Sequence, residues 1–208
     1  LHKYQTVINQ IPTTTMTTAT TNAVRTVDIN LYGPVIDAAG WFTDETKVIT
    51  PHRVKSALDD AANAGQINVH INSPGGSVFA GQAIYNMIRQ HPANVTVYVD
   101  GLAASIASII AMAGNKIVMP PGAMMMVHNP LLSIWGAYEA SDMREMADFL
   151  DKVKESLVAT YQSRVKNKTK DEIVAIMDAT TWLTAADAVD MGFADEIEGL
   201  PAITASMS

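Results

Sequence analysis

The stretch that decides the fold covers residues 97–114 and reads VYVDGLAASIASIIAMAG. Its first part alternates apolar and polar residues, as a half-buried strand does, and its last part is a continuous apolar run that fits a buried helix. Ser105 stands between the two parts, after the small residues Gly101, Ala103 and Ala104. A serine here is either a helix N-cap, which is a common role of serine, or a nucleophile beside N–H groups that stabilise an oxyanion.

Strands and helices alternate on both sides of this stretch. Five short runs have the pattern of strands, at 27–31, 67–72, 95–100, 116–119 and 123–127. Helical patterns begin at Thr50–Pro51, cover 78–90 and begin again near Ser105. This alternation predicts βαβ units and a mostly parallel sheet, which places the chain in the α/β class.

A long helix is predicted from residue 140 to 165. Its apolar residues recur at three- and four-residue spacing and form a narrow stripe made of Met143, Met146, Leu150, Val153 and Leu157. The stripe either packs on the domain or lies on a projecting arm that pairs with another subunit. Two shorter helices are expected at 170–177 and 184–191.

Composition and charge exclude several classes of protein. The net charge of −7 argues against a nucleic-acid partner, and the absence of cysteine excludes disulfides, thiolate metal sites and a cysteine nucleophile. No two histidines have metal-ligand spacing, so no metal is expected. The longest apolar run, 102–113, is too short to span a bilayer, and no signal peptide is visible near the N-terminus. We therefore expect an intracellular protein with no membrane association.

The expected domain organisation is simple. Residues 1–23 form a flexible N-terminal arm, because the Thr-rich part at 12–22 has no apolar periodicity. Residues 24–200 form one domain that includes the long helix at about 138–165, and residues 201–208 form a C-terminal tail.

Two further stretches carry residues suited to chemistry. INSPGGSVFAG at 71–81 places Gly75 and Gly76 after a strand, where a glycine pair is usually a turn but also leaves backbone N–H groups accessible. AMMMVHNP at 123–130 ends a strand in His128, and a lone histidine of this kind is more often structural than catalytic. Because parallel strands end at one edge of a sheet, these groups and Ser105 should meet there. The combination predicts a nucleophile, a base and an oxyanion hole.

Four blocks of the sequence resemble the signature blocks of the Clp protease proteolytic subunit family. In order, they are INSPGGSVFAGQAIYNMI, DGLAASIASIIAMAG, MMMVHNP and TWLTAADAVDMGFADEI. The resemblance covers residues 26–198 and is strongest to the shorter phage and prophage members. It implies a ClpP/crotonase-like spiral of βαβ units, with the helix at 140–165 as a protruding handle by which two rings meet.

The resemblance also implies roles for individual residues. Ser105 would be the nucleophile, His128 the general base, and the N–H groups of Gly76 and Ile106 the oxyanion hole. Substrate would be held as an extended strand between 76–78 and 129–131, and the expected substrate-binding residues are Gly75, Ser77, Val78, Asn129, Pro130 and Leu131.

The third member of the catalytic triad departs from the family pattern. Alignment of MDATTWLTA, residues 177–185, puts Thr180 where the family has an aspartate. A threonine can orient a histidine but cannot stabilise an imidazolium as a carboxylate does. Asp178 is the nearest carboxylate and is the proposed triad acid, with a helix-end or turn residue as the equally weighted alternative.

The expected function is that of a serine endopeptidase, which hydrolyses peptide bonds through an acyl-enzyme and needs no cofactor. The resemblance implies protein or peptide substrates, two stacked heptameric rings, and a partner that is an AAA+ ATPase or a phage capsid protein undergoing maturation. The expected location is the cytoplasm of a bacterial or phage-infected cell. Two alternatives remain: a crotonase-fold acyl-CoA enzyme, and an inactive ring-forming homologue, which Thr180 favours.

Overall fold

A sheet of mostly parallel strands forms the centre of the fold. The computed structural model describes residues 24–40 and 43–199, so the predicted arm at 1–23 and tail at 201–208 lie outside the described residues. Within the described part the strands are β1 (Thr26–Tyr32), β2 (Gln66–Ser73), β3 (Asn94–Ala104), β4 (Lys116–Met119), β5 (Met124–Val127), β6 (Thr181–Thr184) and β7 (Glu196–Ile197). Their order is β1-β2-β3-β4-β7, with β5 pairing β3 and β6.

The strand β3 differs from its prediction. It does not end at Asp100 but continues to Ala104, and its two halves pair with different strands. Residues 96–98 pair with β4, whereas 102–104 pair with β5. The register with β2 also shifts between Ile71 and Ser73, so the strand is irregular near Gly101, where no side chain restricts the backbone. As a result, Ser105 follows a strand directly.

Helices pack on this sheet, and most begin at a recognisable cap. They are α1 (Pro51–Asp60), α2 (Val78–Gln90), α3 (Ile106–Ala111), α4 (Ala140–Arg164), α5 (Lys170–Asp178) and α6 (Ala185–Asp190). The Thr50 hydroxyl accepts from the Arg53 N–H at the start of α1, and Thr169 and Thr184 form capping boxes for α5 and α6. The predictions of α1 at Thr50–Pro51 and of α2 at 78–90 are confirmed.

The core lies between the sheet and the helices. All six residues of α3 are buried, as are the apolar residues of β2 and β3, including Ile67, Val69 and Val97. The mixed α/β architecture with a mostly parallel sheet confirms the predicted fold class. Only β6 runs antiparallel to its neighbour, β5, within the described residues. This strand is not predicted from the sequence, because its four residues form a strand only through pairing with β5.

The long helix α4 consists of two different halves. Towards its C-terminus Val153, Leu157 and Tyr161 are buried against the core. Towards its N-terminus the predicted stripe is exposed at Met143 and only half-buried at Leu150. Packing on the domain therefore describes the C-terminal half of the stripe, and pairing of the N-terminal half with another subunit stays a prediction.

Candidate active site

Three strand ends bring the predicted groups together. Strand β2 leads into Gly75 and Gly76, β3 leads into Ser105, and β5 leads into His128. Because β3 runs parallel to both β2 and β5, these ends share one edge of the sheet. His128 Nε2 lies 2.7 Å from Ser105 Oγ, which is hydrogen-bond distance.

Ser105 has an unusual backbone conformation. Its φ is 56° and its ψ is −128°, and among non-glycine residues of the described chain only Ser105 and Thr180 have a positive φ. Such conformations cost about 1–3 kcal/mol and cluster at functional sites. Ser105 stands at the N-cap position of α3, but its side chain makes no capping hydrogen bond. The hydroxyl is directed to His128 instead, so the N-cap interpretation describes the position of Ser105 but not its hydrogen bonding.

The glycine pair is fixed against both Val35 and Ser105. Gly75 has φ 91° and Gly76 has φ 146°, which glycine adopts readily and other residues do not. The Val35 N–H donates to the Gly75 carbonyl and the Ser77 N–H donates to the Val35 carbonyl, both at 2.8 Å. A Cβ on Gly75 would lie 2.8 Å from the Ser105 Cβ, so the loop and the serine are in direct contact.

Two backbone donors beside Ser105 have no protein acceptor. Neither the Gly76 N–H nor the Ile106 N–H donates to another residue in the described part of the chain. The Ile106 nitrogen would lie 3.2 Å from a Cβ on Gly75, so the start of α3 and the glycine pair are adjacent. These are the two N–H groups to which the family resemblance gives the role of oxyanion hole.

His128 is half-buried, and burial lowers its pKa below the usual 6.5. Burial disfavours the charged imidazolium, so the neutral ring predominates at neutral pH. A neutral imidazole can accept a proton from a hydroxyl. The only ring hydrogen bond of His128 within the described residues is the one with Ser105.

The structure does not join Asp178 to His128 by a hydrogen bond. Asp178, at the end of α5, accepts from the Asn129 side-chain amide at 2.7 Å and from the Lys154 ammonium on α4. The Lys154 and Asn129 hydrogen bonds hold the pKa of Asp178 below its usual value, so this carboxylate is ionised. The carboxylate therefore contacts the residue that follows His128 and not His128 itself.

Thr180 and His128 flank the last pair between two antiparallel strands. Strand β6 pairs with β5 and places Thr181 opposite Val127; Thr180 directly precedes Thr181, and His128 directly follows Val127. The φ of Thr180 is 50°, an uncommon conformation for a β-branched residue. This geometry agrees with the sequence alignment, which puts Thr180 at the position of the family aspartate.

The expected substrate-binding residues border the same site. Asn129, Pro130 and Leu131 follow His128 in irregular backbone, and Leu131 is exposed. Ser77 accepts from the Ala80 N–H as the cap of α2 and donates to Asp37 at 2.8 Å. A small cavity of about 10 Å³ is lined by Val78, Ser105, Ile106, Ile109, His128, Asn129, Pro130, Leu157 and Tyr161.

Several residues that support the site are not predicted from the sequence. Val35 holds the glycine pair from a loop about 40 residues earlier in the chain. Ser73 and Ser108 are both buried: the Ser73 hydroxyl accepts from Gly75 N–H at 3.1 Å, and the Ser108 hydroxyl donates to the Ser105 carbonyl at 2.6 Å. A lone polar residue inside the apolar run 106–113 is the signal that could have identified Ser108.

Comparison with known proteins identifies the family of the chain. The family model described as Clp protease matches residues 46–199. The chain belongs to the Clp protease family. The family to which the four sequence blocks point is thereby confirmed.

Curated relatives of this Clp-family chain share about a third of the aligned residues. The ATP-dependent Clp protease proteolytic subunit of Porphyromonas gingivalis is 34% identical over 142 residues, which are 67% of this chain and 63% of the relative. The ATP-dependent Clp protease proteolytic subunit 1 of Leifsonia xyli is 37% identical over 133 residues, 63% of this chain and 66% of the relative. The chain thus spans slightly less than two thirds of these relatives.

The described residues of this Clp-family chain contain neither a candidate metal cluster nor a candidate membrane-spanning helix. Across residues 24–40 and 43–199, no group of three or more His, Asp or Glu side chains could hold a metal ion. None of the helices in that part is both long and apolar enough to cross a membrane.

Proposed function

We propose that the chain is a serine endopeptidase in which Ser105 is the nucleophile and His128 the general base. The observation that carries this proposal is the 2.7 Å contact between Ser105 Oγ and His128 Nε2, made by a serine in a strained conformation. His128 takes the Ser105 proton as Oγ attacks the substrate carbonyl, and then gives that proton to the leaving amine. His128 next deprotonates a water molecule, which hydrolyses the acyl-enzyme and regenerates both side chains.

The oxyanion of the tetrahedral intermediate is proposed to bind the N–H groups of Gly76 and Ile106. Both groups lack another acceptor in the described chain and flank Ser105. The substrate is proposed to lie as an extended strand between the two segments that border the site. Its contacts would be Gly75, Ser77, Val78, Asn129, Pro130 and Leu131.

Asp178 is proposed to support His128 indirectly. Its carboxylate fixes Asn129 and is itself held by Lys154, so it restrains the backbone next to the catalytic histidine. His128 and Ser105 then work as a dyad, with Thr180 at the position from which a carboxylate would reach the imidazole.

The active form is proposed to be an assembly of two stacked rings of this chain. Large apolar side chains are exposed on the projecting half of α4 and in the loop before it, and such patches mark protein interfaces. They are Leu131, Leu132, Trp135, Tyr138, Met143 and Phe149, with Trp135 97% exposed. The names of the relatives include the words ATP-dependent, so an AAA+ ATPase is a proposed partner in the bacterial cytoplasm. Capsid maturation in a phage-infected cell is the alternative role.

An inactive ring-forming homologue is the second candidate. It is favoured by the absence of a carboxylate hydrogen bond to His128 within the described residues. A crotonase-type acyl-CoA enzyme is disfavoured, because the Ser105–His128 contact serves acyl transfer to serine.

Hydrolysis of fluorogenic peptides tests the proposal. Wild-type protein should hydrolyse such peptides and Ser105→Ala should lose the activity, whereas Ser56→Ala, at an exposed position on α1, should retain it. Activity that persists in Ser105→Ala would overturn the assignment of the nucleophile. Folded, assembled wild-type protein without any activity would favour the inactive homologue.

A further inference from the structure

A buried pair of hydroxyl groups lies directly behind the nucleophile. Ser108 on α3 and Tyr161 on α4 are both fully buried, and Ser108 Oγ lies 2.7 Å from the Tyr161 phenol oxygen. Ser108 Oγ also donates to the Ser105 carbonyl oxygen at 2.6 Å, and the Ser108 N–H donates to the same oxygen at 2.9 Å. The carbonyl of the nucleophile is therefore held by two donors from one residue.

The direction of the hydrogen bonds follows from the number of protons. A serine hydroxyl has one proton, and that of Ser108 is used by the Ser105 carbonyl. Tyr161 must then donate to Ser108 Oγ. Burial raises the pKa of Tyr161, so the phenol keeps the proton that this bond needs.

The pair is well placed to hold Ser105 in its strained conformation. The Ser105 backbone, with φ 56°, is uncommon for a non-glycine residue and persists only when its surroundings determine it. Hydrogen bonds buried away from water are strong and directional, since no solvent competes for the donors. Tyr161 belongs to the packed half of α4, so the same bonds connect the nucleophile to that helix.

We propose that Ser108 is a positioning residue for the nucleophile, and that Tyr161 fixes the Ser108 hydroxyl towards the Ser105 carbonyl. This inference rests on the proposed role of Ser105 as the nucleophile. Both residues are fully buried, and neither is among the proposed substrate contacts. Ser108 sets the backbone that aims Ser105 Oγ at His128 and at the substrate carbonyl.

Three variants separate positioning from a purely structural role. Ser108→Ala removes the hydroxyl donor to the Ser105 carbonyl, keeps the backbone N–H donor, and leaves the Tyr161 hydroxyl buried without its Ser108 partner. Tyr161→Phe leaves the Ser108 donor in place. The double variant removes both hydroxyls, so it leaves neither hydroxyl without a partner but still lacks the hydroxyl donor to the Ser105 carbonyl.

The measurement is the rate of acylation by a fluorophosphonate over a range of probe concentrations, together with the melting temperature of each variant. We expect Ser108→Ala to lower the saturating acylation rate about tenfold or more without changing the half-saturating concentration, because Oγ is misaimed and binding is intact. Tyr161→Phe should lower the saturating rate by a smaller factor, because Ser108 keeps its hydroxyl donor but loses the hydrogen bond that fixes the direction of that hydroxyl. The double variant should regain melting temperature relative to Ser108→Ala but keep the low acylation rate.

Each outcome bears on the inference. Wild-type acylation in Ser108→Ala, or recovery of both rate and melting temperature in the double variant, would overturn the positioning role while leaving Ser105 as the nucleophile. Should Ser108→Ala fail to fold, the double variant provides the same comparison of rates. Absence of acylation at Ser105 in the wild type would overturn the proposed function, and this inference with it.

Discussion

Replacing Gly76 by alanine is the most informative single perturbation of the oxyanion hole. A Cβ at this position would lie 2.0 Å from the Val35 carbonyl oxygen, a distance that real Cβ contacts essentially never show. A closely packed interior cannot absorb steric overlap of this size. Restoring a separation of about 3.0 Å between the Cβ and the Val35 carbonyl oxygen therefore requires a backbone movement of about 1 Å. The moving groups are the Gly76 backbone, which carries the proposed donor, and the loop segment around Val35 that holds it.

The expected cost divides into a stability part and a catalytic part. Weakening the two hydrogen bonds between Val35 and 75–77 costs about 1–3 kcal/mol, and holding alanine at φ 146° adds about 1–3 kcal/mol. Displacing one oxyanion donor lowers the rate by about 10²–10³-fold, or about 3–4 kcal/mol of transition-state stabilisation. The catalytic loss should therefore remain after the rate is corrected for the folded fraction.

The assay is peptide hydrolysis, expressed as kcat/KM, alongside urea unfolding of the same samples. Gly114→Ala is the matched control for stability, because its Cβ would lie 2.7 Å from the Lys116 carbonyl, away from the site. Gly122→Ala is the neutral control, since nothing lies within 4 Å of its Cβ. Wild-type kcat/KM in Gly76→Ala, or an equal loss in Gly114→Ala, would refute the assignment of Gly76 as an oxyanion donor.

Three other predictions concern the base, the third triad position and the assembly. Because burial lowers the pKa of His128, hydrolysis should rise with pH to a plateau with its midpoint below the usual 6.5, and a midpoint above that value would contradict the account. The unfolded state then binds a proton at His128 at a higher pH than the folded state does. The free energy of unfolding should therefore fall as the pH drops from the unfolded-state pKa of His128 to its lower folded-state pKa, and His128→Ala should lack this contribution. Thr180→Asp should raise kcat. Asp178→Asn should lower kcat less than tenfold, because Asp178 acts only through Asn129. A loss of several orders of magnitude in Asp178→Asn would make Asp178 the direct partner of His128. Met143→Glu should dissociate the assembly in light scattering, and a monomeric wild type would contradict the proposed ring.

The parts of the fold that the sequence predicts are those set by local patterns. Helix α2 has a serine cap and clear amphipathic spacing, so its bounds of Val78 and Gln90 follow from the sequence. Strand β6 and the extension of β3 to Ala104 depend on pairing with β5, which no local pattern contains. Short segments of this kind become strands only when a partner supplies the hydrogen bonds.

The residues of the candidate site likewise include some that local sequence patterns predict and others that depend on tertiary packing. Ser105, His128 and the glycine pair each stand at the end of a patterned strand, so the parallel sheet brings them together predictably. The partners of Asp178 could not be predicted, because Lys154 on α4 reaches it only through packing of α4 against α5. The same holds for Val35 and for the pair Ser108 and Tyr161, whose contacts span large separations in sequence.

The most direct test of the central claim is mass spectrometry of the protein after treatment with a fluorophosphonate. The account predicts one adduct per chain, located on Ser105 and absent in Ser105→Ala. It also predicts loss of the adduct in His128→Ala, because the 2.7 Å contact supplies the base. An adduct on another serine, or equal labelling of wild type and His128→Ala, would contradict the claim that Ser105 and His128 form the catalytic pair.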